Sequence, residues 1–529
     1  MDMPKFVTAQ QAVEQLRDGC TLGISSFGGW LGTDELYCAL RERFLATGSP
    51  RNLHICGGVL PGGLNTQDVG LNILALDGLV SKVTAAHVGM APLFSQLITD
   101  NKAAGFAVPL GIFTKLLRCS AAHEPGLITK VGLGGFCDSA VDACRLNEAA
   151  KSFESPVREL LLDGERYLFY SAPKIDACFI RVSCADENGC LSAADEPVTG
   201  DQLAMAAAVH NNGGLVIAQA ARVVPAGAIS PRSVLIPPQM VDYIVVASPE
   251  HAAPGYDCPA YRPELVGGAA ADEAAAQIPP IRLDQRSICA RRAAQELRAE
   301  SLINIGIGMP DGVADAAAQE GIAELITLSL ESGPLGGVPV TGVGFGAAQS
   351  PVAILPMADN FDFYDGGGLD MAFLGAAEID RQGNVNVSAF SNRVTGPGGF
   401  IDIAQNTPFV CFLSSFTAGG LRVGAQDGRL KIESEGRAHK FVERVQQITF
   451  SAKTALEQGQ RVLYITERAV FTLTERGLCL TELAPGVELE RDILAQMDFK
   501  PEIAKELKTF DAAILREAPM GLREKLAGK

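Results

Sequence analysis

The chain has 529 residues, and at roughly 150 residues per domain that length sets a prior of three or four units. With 47% apolar and 20% charged residues it can enclose a large core. Its net charge of −17, with no long basic run, argues against a surface that tracks nucleic-acid phosphates. A small anionic ligand held by local groups stays open. The 56 glycines are about 11% of the chain, against about 7% in ordinary proteins.

The thirteen cysteines include no C-x-x-C pair, which removes zinc ribbons, thioredoxin motifs and simple iron–sulfur runs. The series Cys178, Cys184, Cys190 has no metal spacing, and reduced thiols are expected. In chain order, residues 1–19 lack a basic segment followed by an apolar one, so no signal peptide is expected. Residues 201–209 have helical, alanine-rich character, and 243–247 (YIVVA) read as a strand. Residues 252–280, rich in Pro and Ala, read as a linker or surface excursion. A helix is expected over 291–298, a buried strand over 325–330 (LITLSL), and strands over 410–413 and 462–465. Residues 332–358 are uncharged, but six glycines and four prolines would leave backbone groups unsatisfied in lipid, so a soluble protein is expected. The alternation of strand and helix predicts α/β architecture with largely parallel sheets.

Self-comparison divides the chain. Residues 175–191 align with 369–385 at an offset of 194, with Asp176/Asp370, Phe179/Phe373, Asp186/Asp380 and Gly189/Gly383 identical. A shorter pair, LRDGCTLGIS from Leu16 and LRAESLINIG from Leu297, matches at an offset of 281. The difference leaves roughly 87 extra residues between the motifs of the first half. Two homologous α/β halves are predicted, 1–280 and 281–529, joined near 270–285.

Glycine-rich turns follow strand-like segments in both halves: SFGGWLG (26–32), GGVLPGG (57–63) and GLGG (132–135), then GIGMP (306–310), ESGPLGG (331–337), GGG (366–368) and GPGG (396–399). Such loops let backbone N–H groups approach a phosphate or an oxyanion, although tight turns use the same residues. None has dinucleotide-fold spacing. Glu331 ends the apolar run 325–330 and opens a glycine loop, a position suited to a nucleophile or base and equally to a turn-capping or water-facing Glu. The segment 23–27 lacks the closing glycine of a nucleophile elbow. The six histidines, 54, 87, 123, 210, 251 and 439, have no zinc-site spacing, and each is read as structural; no metal is expected.

The runs ESGPLGGVP from Glu331, FDFYDGGGLDMAFLGAAEIDRQGNVNVS, GPGGFIDIAQN and SSFTAGGL resemble the family I acyl-CoA:carboxylate CoA-transferases. The likeness is to the single-chain, short-chain acyl branch, related to succinyl-CoA:3-oxoacid CoA-transferase. Weaker likeness at 19–35 and 130–136 extends it over nearly the whole chain. The resemblance implies two homologous open α/β domains of the CoA-transferase (NagB/RpiA-like) type fused in one chain, the catalytic glutamate in the second half. It puts Glu331 on the family's nucleophile and Gly399 on the glycine whose N–H helps form the oxyanion hole. It puts Gly306, Ile307, Gly308, Met309 and Pro310 on a CoA-contacting segment, and Thr395 on a neighbouring CoA contact. Two departures stand out: Leu330-Glu331-Ser332-Gly333 replaces the usual Ser-Glu-Asn-Gly, and Ser25-Ser26-Phe27 replaces Gly-Gly-Phe.

The implied reaction is ping-pong transfer of CoA through a mixed anhydride and a γ-glutamyl-CoA thioester. A carboxylate already ionised at pH 7 would then need no acid–base partner. A hydrolase on the same scaffold and a non-catalytic acyl-CoA-binding protein are the alternatives. CoA thioester is implied as a substrate rather than a cofactor, with small carboxylic acids as partners, no nucleic acid and no membrane. A cytoplasmic homo-oligomer, dimer or tetramer, is expected. Gly, Ala and Phe near the site suit acetate, propionate, butyrate, lactate or acetoacetate, without ordering them.

Overall fold

The computed structural model describes residues 3–63, 68–267 and 280–527. The chain forms two compact units. One comprises Met1–Ala271, Glu331–Asp362 and Ser391–Asp402; the other comprises Asp272–Leu330, Phe363–Phe390 and Ile403–Lys529. Two segments late in sequence thus pack with the first 271 residues.

The first unit is built on an 8-stranded sheet. Its spatial order is Lys5–Phe6, Tyr243–Val246, Leu215–Ala220, Ala177–Val182, Thr21–Phe27, Leu53–Val59, Val80–His87 and Ala104–Ala107, with every neighbouring pair parallel. The central strand Ala177–Val182 is buried at every position, as a parallel strand covered on both faces must be. Helices Gln202–Asn211 and Leu110–Ala121 join that cover through Met205, Val209, Phe113 and Leu117. The chain winds outward from Thr21–Phe27 in one direction through Leu53–Val59, and in the other through Ala177–Val182. The carboxyl ends of these three strands therefore flank a topological switch point, where open α/β sheets hold ligands.

In the second unit Thr327–Ser329, Leu302–Ile305, Met371–Gly375, Phe409–Leu413 and Arg461–Ile465 are parallel neighbours. Ala469–Thr474 and Gly477–Leu483 follow antiparallel, and Glu502–Thr509 closes the edge in parallel. Ile303, Phe373, Cys411 and Ile465 pack in its core with Val313 and Ala317. The expected strand over 325–330 is shorter, Thr327–Ser329, because Ala323–Leu325 closes a 3-10 turn. The expected helices over 201–209 and 291–298 are Gln202–Asn211 and Gln285–Ala294. Of the expected linker, 268–279 lies outside the described residues.

The internal repeat has a physical basis in both units. Thr21 N–H donates to Asp176 Oδ2 at 2.8 Å, and Leu302 N–H donates to Asp370 Oδ2 at 2.8 Å. Asp186 Oδ1 accepts from the N–H groups of Asn188 and Cys190 at 3.0 and 2.9 Å; Asp380 Oδ1 does the same for Gln382 and Asn384 at 3.0 and 2.9 Å. Gly189 and Gly383 have φ of 82° and 94° in the two turns, a conformation natural to glycine. The antiparallel partners Ala185↔Leu191 and Ile379↔Val385 correspond residue for residue. The extra length of the first half, between Thr21 and Asp176, holds strands Leu53–Val59, Val80–His87 and Ala104–Ala107 and an antiparallel sheet of Gly126–Thr129, Val157–Leu162 and Glu165–Ser171. Among the described residues no helix is long and apolar enough to cross a membrane.

Candidate active site

Glu331 lies two residues beyond strand Thr327–Ser329, where the chain passes into the first unit. The glycine loop after it folds back tightly. Gly333 has φ of 119°, and a Cβ there would fall 2.1 Å from the Leu355 carbonyl oxygen. Pro334–Leu335 then pairs antiparallel with Ala353–Ile354. Further along, the Trp30 indole N–H donates to the carbonyls of Gly344 and Phe345 at 3.1 and 3.2 Å. The glycine loop of residues 26–32 is thereby fastened to the segment that carries the glutamate. Asn360, buried in helix Met357–Asp365, donates its side-chain amide to the Glu331 carbonyl at 3.3 Å.

The loop 396–399 reaches Glu331 from the other side. Val88 N–H donates to Thr395 O at 2.7 Å, Gly398 N–H to Ala86 O at 3.0 Å, and Leu110 N–H to Gly398 O at 2.9 Å. These bonds tie the loop to the end of strand Val80–His87 and to the start of helix Leu110–Ala121. Asp402 accepts the Gly111 N–H at 3.2 Å, satisfying one of that helix's free donors. The Gly399 N–H donates to the Glu331 carboxylate. A Cβ at position 399 would stand 2.0 Å from Glu331 Oε2 and 2.8 Å from the Phe361 ring, so only glycine permits this approach. Glu331, Gly399 and Thr395 thus belong to one unit, whereas Gly306, Ile307, Gly308, Met309 and Pro310 belong to the other.

Burial pushes the Glu331 carboxyl up to about 7, against the pull of the Gly399 N–H. The expectation was of a carboxylate at its ordinary pKa; desolvation, with no cation beside it among the described residues, instead favours the protonated form. His87, expected from sequence to be a structural histidine, ends strand Val80–His87 beside the same loop. The side-chain directions of Gly398 meet Glu331 Oε1 at 3.9 Å and His87 Cβ at 4.0 Å. Its Nδ1 is buried without a hydrogen-bond partner, and desolvation, with the Arg393 charge, lowers its pKa to about 4. It is neutral at physiological pH. No sequence spacing marks it, because Glu331, Arg393 and Gly398 all lie far along the chain from it.

In the second unit, Gly306 to Pro310 connect strand Leu302–Ile305 to helix Gly312–Gln319. Gly306 N–H donates to Phe373 O at 2.8 Å, and Gly308 N–H to Asp311 Oδ2 at 3.1 Å. Ile307 is 43% exposed, and nothing occupies the side-chain direction of Gly308, whose φ is 94°. Met309 turns inward onto the core. This strand–loop–helix offers open backbone to a ligand. Among the described residues no group of three or more His, Cys, Asp and Glu is placed to hold a metal ion.

The family model for coenzyme A transferases matches residues 6–247 and 287–412, a span that includes Glu331, Thr395 and Gly399. The chain belongs to the coenzyme A transferase family. It is 41% identical over 517 residues to the acetate CoA-transferase YdiF of Escherichia coli K12, covering 97% of this chain and 96% of that one. It is 40% identical over 527 residues to the caffeate CoA-transferase of Acetobacterium woodii, covering 98% and 99%. A crystal structure of the acyl-CoA transferase YdiF from E. coli O157:H7, a thioester complex with CoA, superposes with a TM-score of 0.91 at 40% identity, covering 98% of this chain and 97% of that one. The chain is a CoA-transferase of the single-chain acyl-CoA:carboxylate branch, with two fused α/β domains.

Proposed function

We propose that this enzyme moves CoA from a short-chain acyl-CoA to a carboxylic acid by a ping-pong route, with Glu331 as nucleophile. The Glu331 carboxylate attacks the thioester carbonyl, giving a mixed anhydride and CoA thiolate. The thiolate attacks the glutamyl carbonyl, releasing the first acid as carboxylate and leaving a γ-glutamyl-CoA thioester. The second carboxylate attacks that thioester and expels CoA thiolate. The thiolate then attacks the new acyl carbonyl, forming the product acyl-CoA and restoring Glu331. Atoms and charge balance at every step, and the thioester free energy is retained without a metal, nucleotide or other cofactor.

The observation that carries this reading is the Gly399 N–H aimed at the half-buried Glu331 carboxyl, at a distance that only glycine permits. Once Glu331 is acylated, the same N–H would meet the oxygen that becomes the glutamyl oxyanion, a donor worth about 10²–10³ in rate. Thr395 and the Gly306–Ile307–Gly308–Met309–Pro310 loop are the proposed CoA contacts. The proposal extends to a cytoplasmic homo-oligomer whose second half, 281–529, supplies the nucleophile. Acyl-CoA followed by borohydride should modify Glu331. Label elsewhere, or full activity in Glu331→Ala, would refute the assignment. Undiminished CoA release without an acceptor acid would make the enzyme a hydrolase.

A further inference from the structure

Four of the six histidines are tethered by a ring nitrogen, as structural histidines are. His54 Nε2 lies 2.9 Å from Thr84 Oγ1, His123 Nε2 3.0 Å from Asn211 O, His251 Nδ1 2.9 Å from Glu35 Oε2 and His439 Nδ1 2.7 Å from Asp498 Oδ1. His210 is exposed. His87 differs from all five: its side chain is half-buried, and Nδ1 is shut in without a partner. Buried polar atoms that hold a fold in place are bonded, so this ring calls for another account.

Its placement is fixed from both flanks, by residues that all belong to the first unit. Gly398 N–H donates to Ala86 O at 3.0 Å and Val88 N–H donates to Thr395 O at 2.7 Å, so the neighbours of His87 on either side are tied to the loop that leads to Gly399. Leu60 N–H donates to the His87 carbonyl at 2.9 Å. Glycine makes room for the ring: a Cβ at Gly89 would fall 2.7 Å from His87 Cε1, 3.0 Å from Nε2 and 3.2 Å from Thr395 Cγ2. The Glu331 oxygens, meanwhile, face different ways. A Cβ at Gly399 would strike Oε2, at 2.0 Å. Oε1 lies toward Gly398, whose side-chain direction is 3.9 Å from Oε1 and 4.0 Å from His87 Cβ. With Oε2 on the Gly399 side, Oε1 is the oxygen left to attack, and His87 stands on that side of the carboxylate.

The tautomer follows from the burial. An N–H is rarely left buried without an acceptor, whereas an unmet lone pair is tolerated more readily, so the proton of the neutral ring belongs on Nε2. Desolvation, with the Arg393 charge, lowers the pKa to about 4, and the ring offers this N–H without a charge that would pair with Glu331 and quench it.

We propose that His87 is a second catalytic residue of the transferase, its neutral imidazole donating from Nε2 to the acyl oxygen of the bound thioester and stabilising the oxyanion that forms there. In that step the bond from Glu331 Oε1 to the acyl carbon forms and the carbonyl electron pair moves to the acyl oxygen. Collapse then breaks the carbon–sulfur bond and expels CoA as thiolate. His87 keeps its proton throughout; an imidazolium would hand it to the thiolate that must attack next. The Gly399 N–H serves the other oxyanion, on the glutamyl carbonyl, so each carbonyl that is attacked has its own donor.

The inference rests on the transferase reading, and one assay separates the two. In the full-length enzyme, single-turnover formation of the Glu331 thioester from acetyl-CoA is measured beside discharge of the preformed thioester by hydroxylamine. Discharge passes only through the glutamyl oxyanion. His87→Phe, which keeps a ring without a donor, should slow formation about 10²-fold and leave discharge within about twofold of wild type. Because Nδ1 has no bond to lose, urea denaturation should find this variant at least as stable as the wild type. His87→Gln, which supplies an amide donor, should recover about tenfold of the lost rate. Undiminished formation in His87→Phe, equal slowing of both steps, or loss of the folded state in both variants overturns the role of His87. Failure of the wild type to form a Glu331 thioester overturns the transferase reading and this inference with it.

Discussion

The raised pKa of Glu331 makes a prediction that separates nucleophilic catalysis by an enclosed carboxylate from catalysis by an ordinary surface one. With a pKa of about 7, about one tenth of free enzyme carries an ionised Glu331 at pH 6, one half at pH 7 and nine tenths at pH 8. The sign follows from the chemistry: only the carboxylate attacks. Formation of the glutamyl thioester should therefore rise about tenfold per pH unit below pH 6, about fivefold from pH 6 to 7, and level off above about 8. A carboxylate at its ordinary pKa would give a flat profile from pH 5.5 upward. Single-turnover mixing with acyl-CoA, followed by mass measurement of the Glu331 peptide, reads this directly. CoA itself carries a phosphate that titrates near this range, so the midpoint must also be shown to belong to the protein. Phe361 supplies that control. Its ring and the Glu331 carboxyl crowd the same point at Gly399, so Phe361→Ala should admit water and lower the midpoint by about one unit. A flat wild-type profile, or a midpoint indifferent to Phe361→Ala, refutes the reasoning.

Further outcomes follow from the same geometry. Gly399→Ala should lower kcat by about 10²–10³ and abolish trapping of the thioester, since its Cβ would occupy the space of Glu331 Oε2. Because the native state holds a proton on Glu331 more tightly than the unfolded chain, the ionised carboxylate destabilises the fold as pH rises from about 4.5 to 7; Glu331→Gln should be roughly 1–3 kcal/mol more stable than wild type at pH 8 and equal to it near pH 4, by urea denaturation. Arg181→Leu should cost about 3–5 kcal/mol by the same measurement, because Arg181 and Glu196 pair at 3.1 Å with side chains only 2% and 1% exposed, and the carboxylate would be left alone. Asp186→Ala and Asp380→Ala should each destabilise by about 1–3 kcal/mol and by similar amounts, since both carboxylates hold equivalent turns.

What the sequence discloses is governed by how far each residue's partners lie along the chain. The repeat was legible because Asp186, Gly189, Asp380 and Gly383 act on residues two to four positions away, where a turn enforces spacing. Parallel strands were legible as apolar runs because both faces are covered. Their ends were not: Ala323–Leu325 closed a turn that apolar content alone could not reveal. Glu331 could be noticed as a charge ending an apolar run, but its pairing with Gly399 emerged only from likeness to a family. His87 gave no sign, since Glu331, Arg393 and Gly398 reach it from far along the chain and no periodicity connects them. A lone polar residue in sequence carries no record of whether it will be buried without a partner.

Three titratable groups of the first unit share one physical condition. Glu331 and Asp201 are raised to about 7 and His87 is lowered to about 4, each chiefly by desolvation. A protein selected only for stability would pair such groups or replace them with apolar ones. Desolvating them instead would, on the proposed route, serve transfer over hydrolysis. Every intermediate of the proposed route is an activated acyl group, and water is the competing nucleophile at each. A pocket that pushes its own carboxyls toward the protonated form disfavours water for the same reason it disfavours charge. On the proposed route the substrate carboxylate and the CoA thiolate, rather than water, are then the nucleophiles that meet the activated carbonyl. On this argument Phe361→Ala, besides lowering the midpoint, should raise the ratio of hydrolysis to transfer. Thus one substitution tests whether desolvation sets both the pKa and the fate of the intermediate.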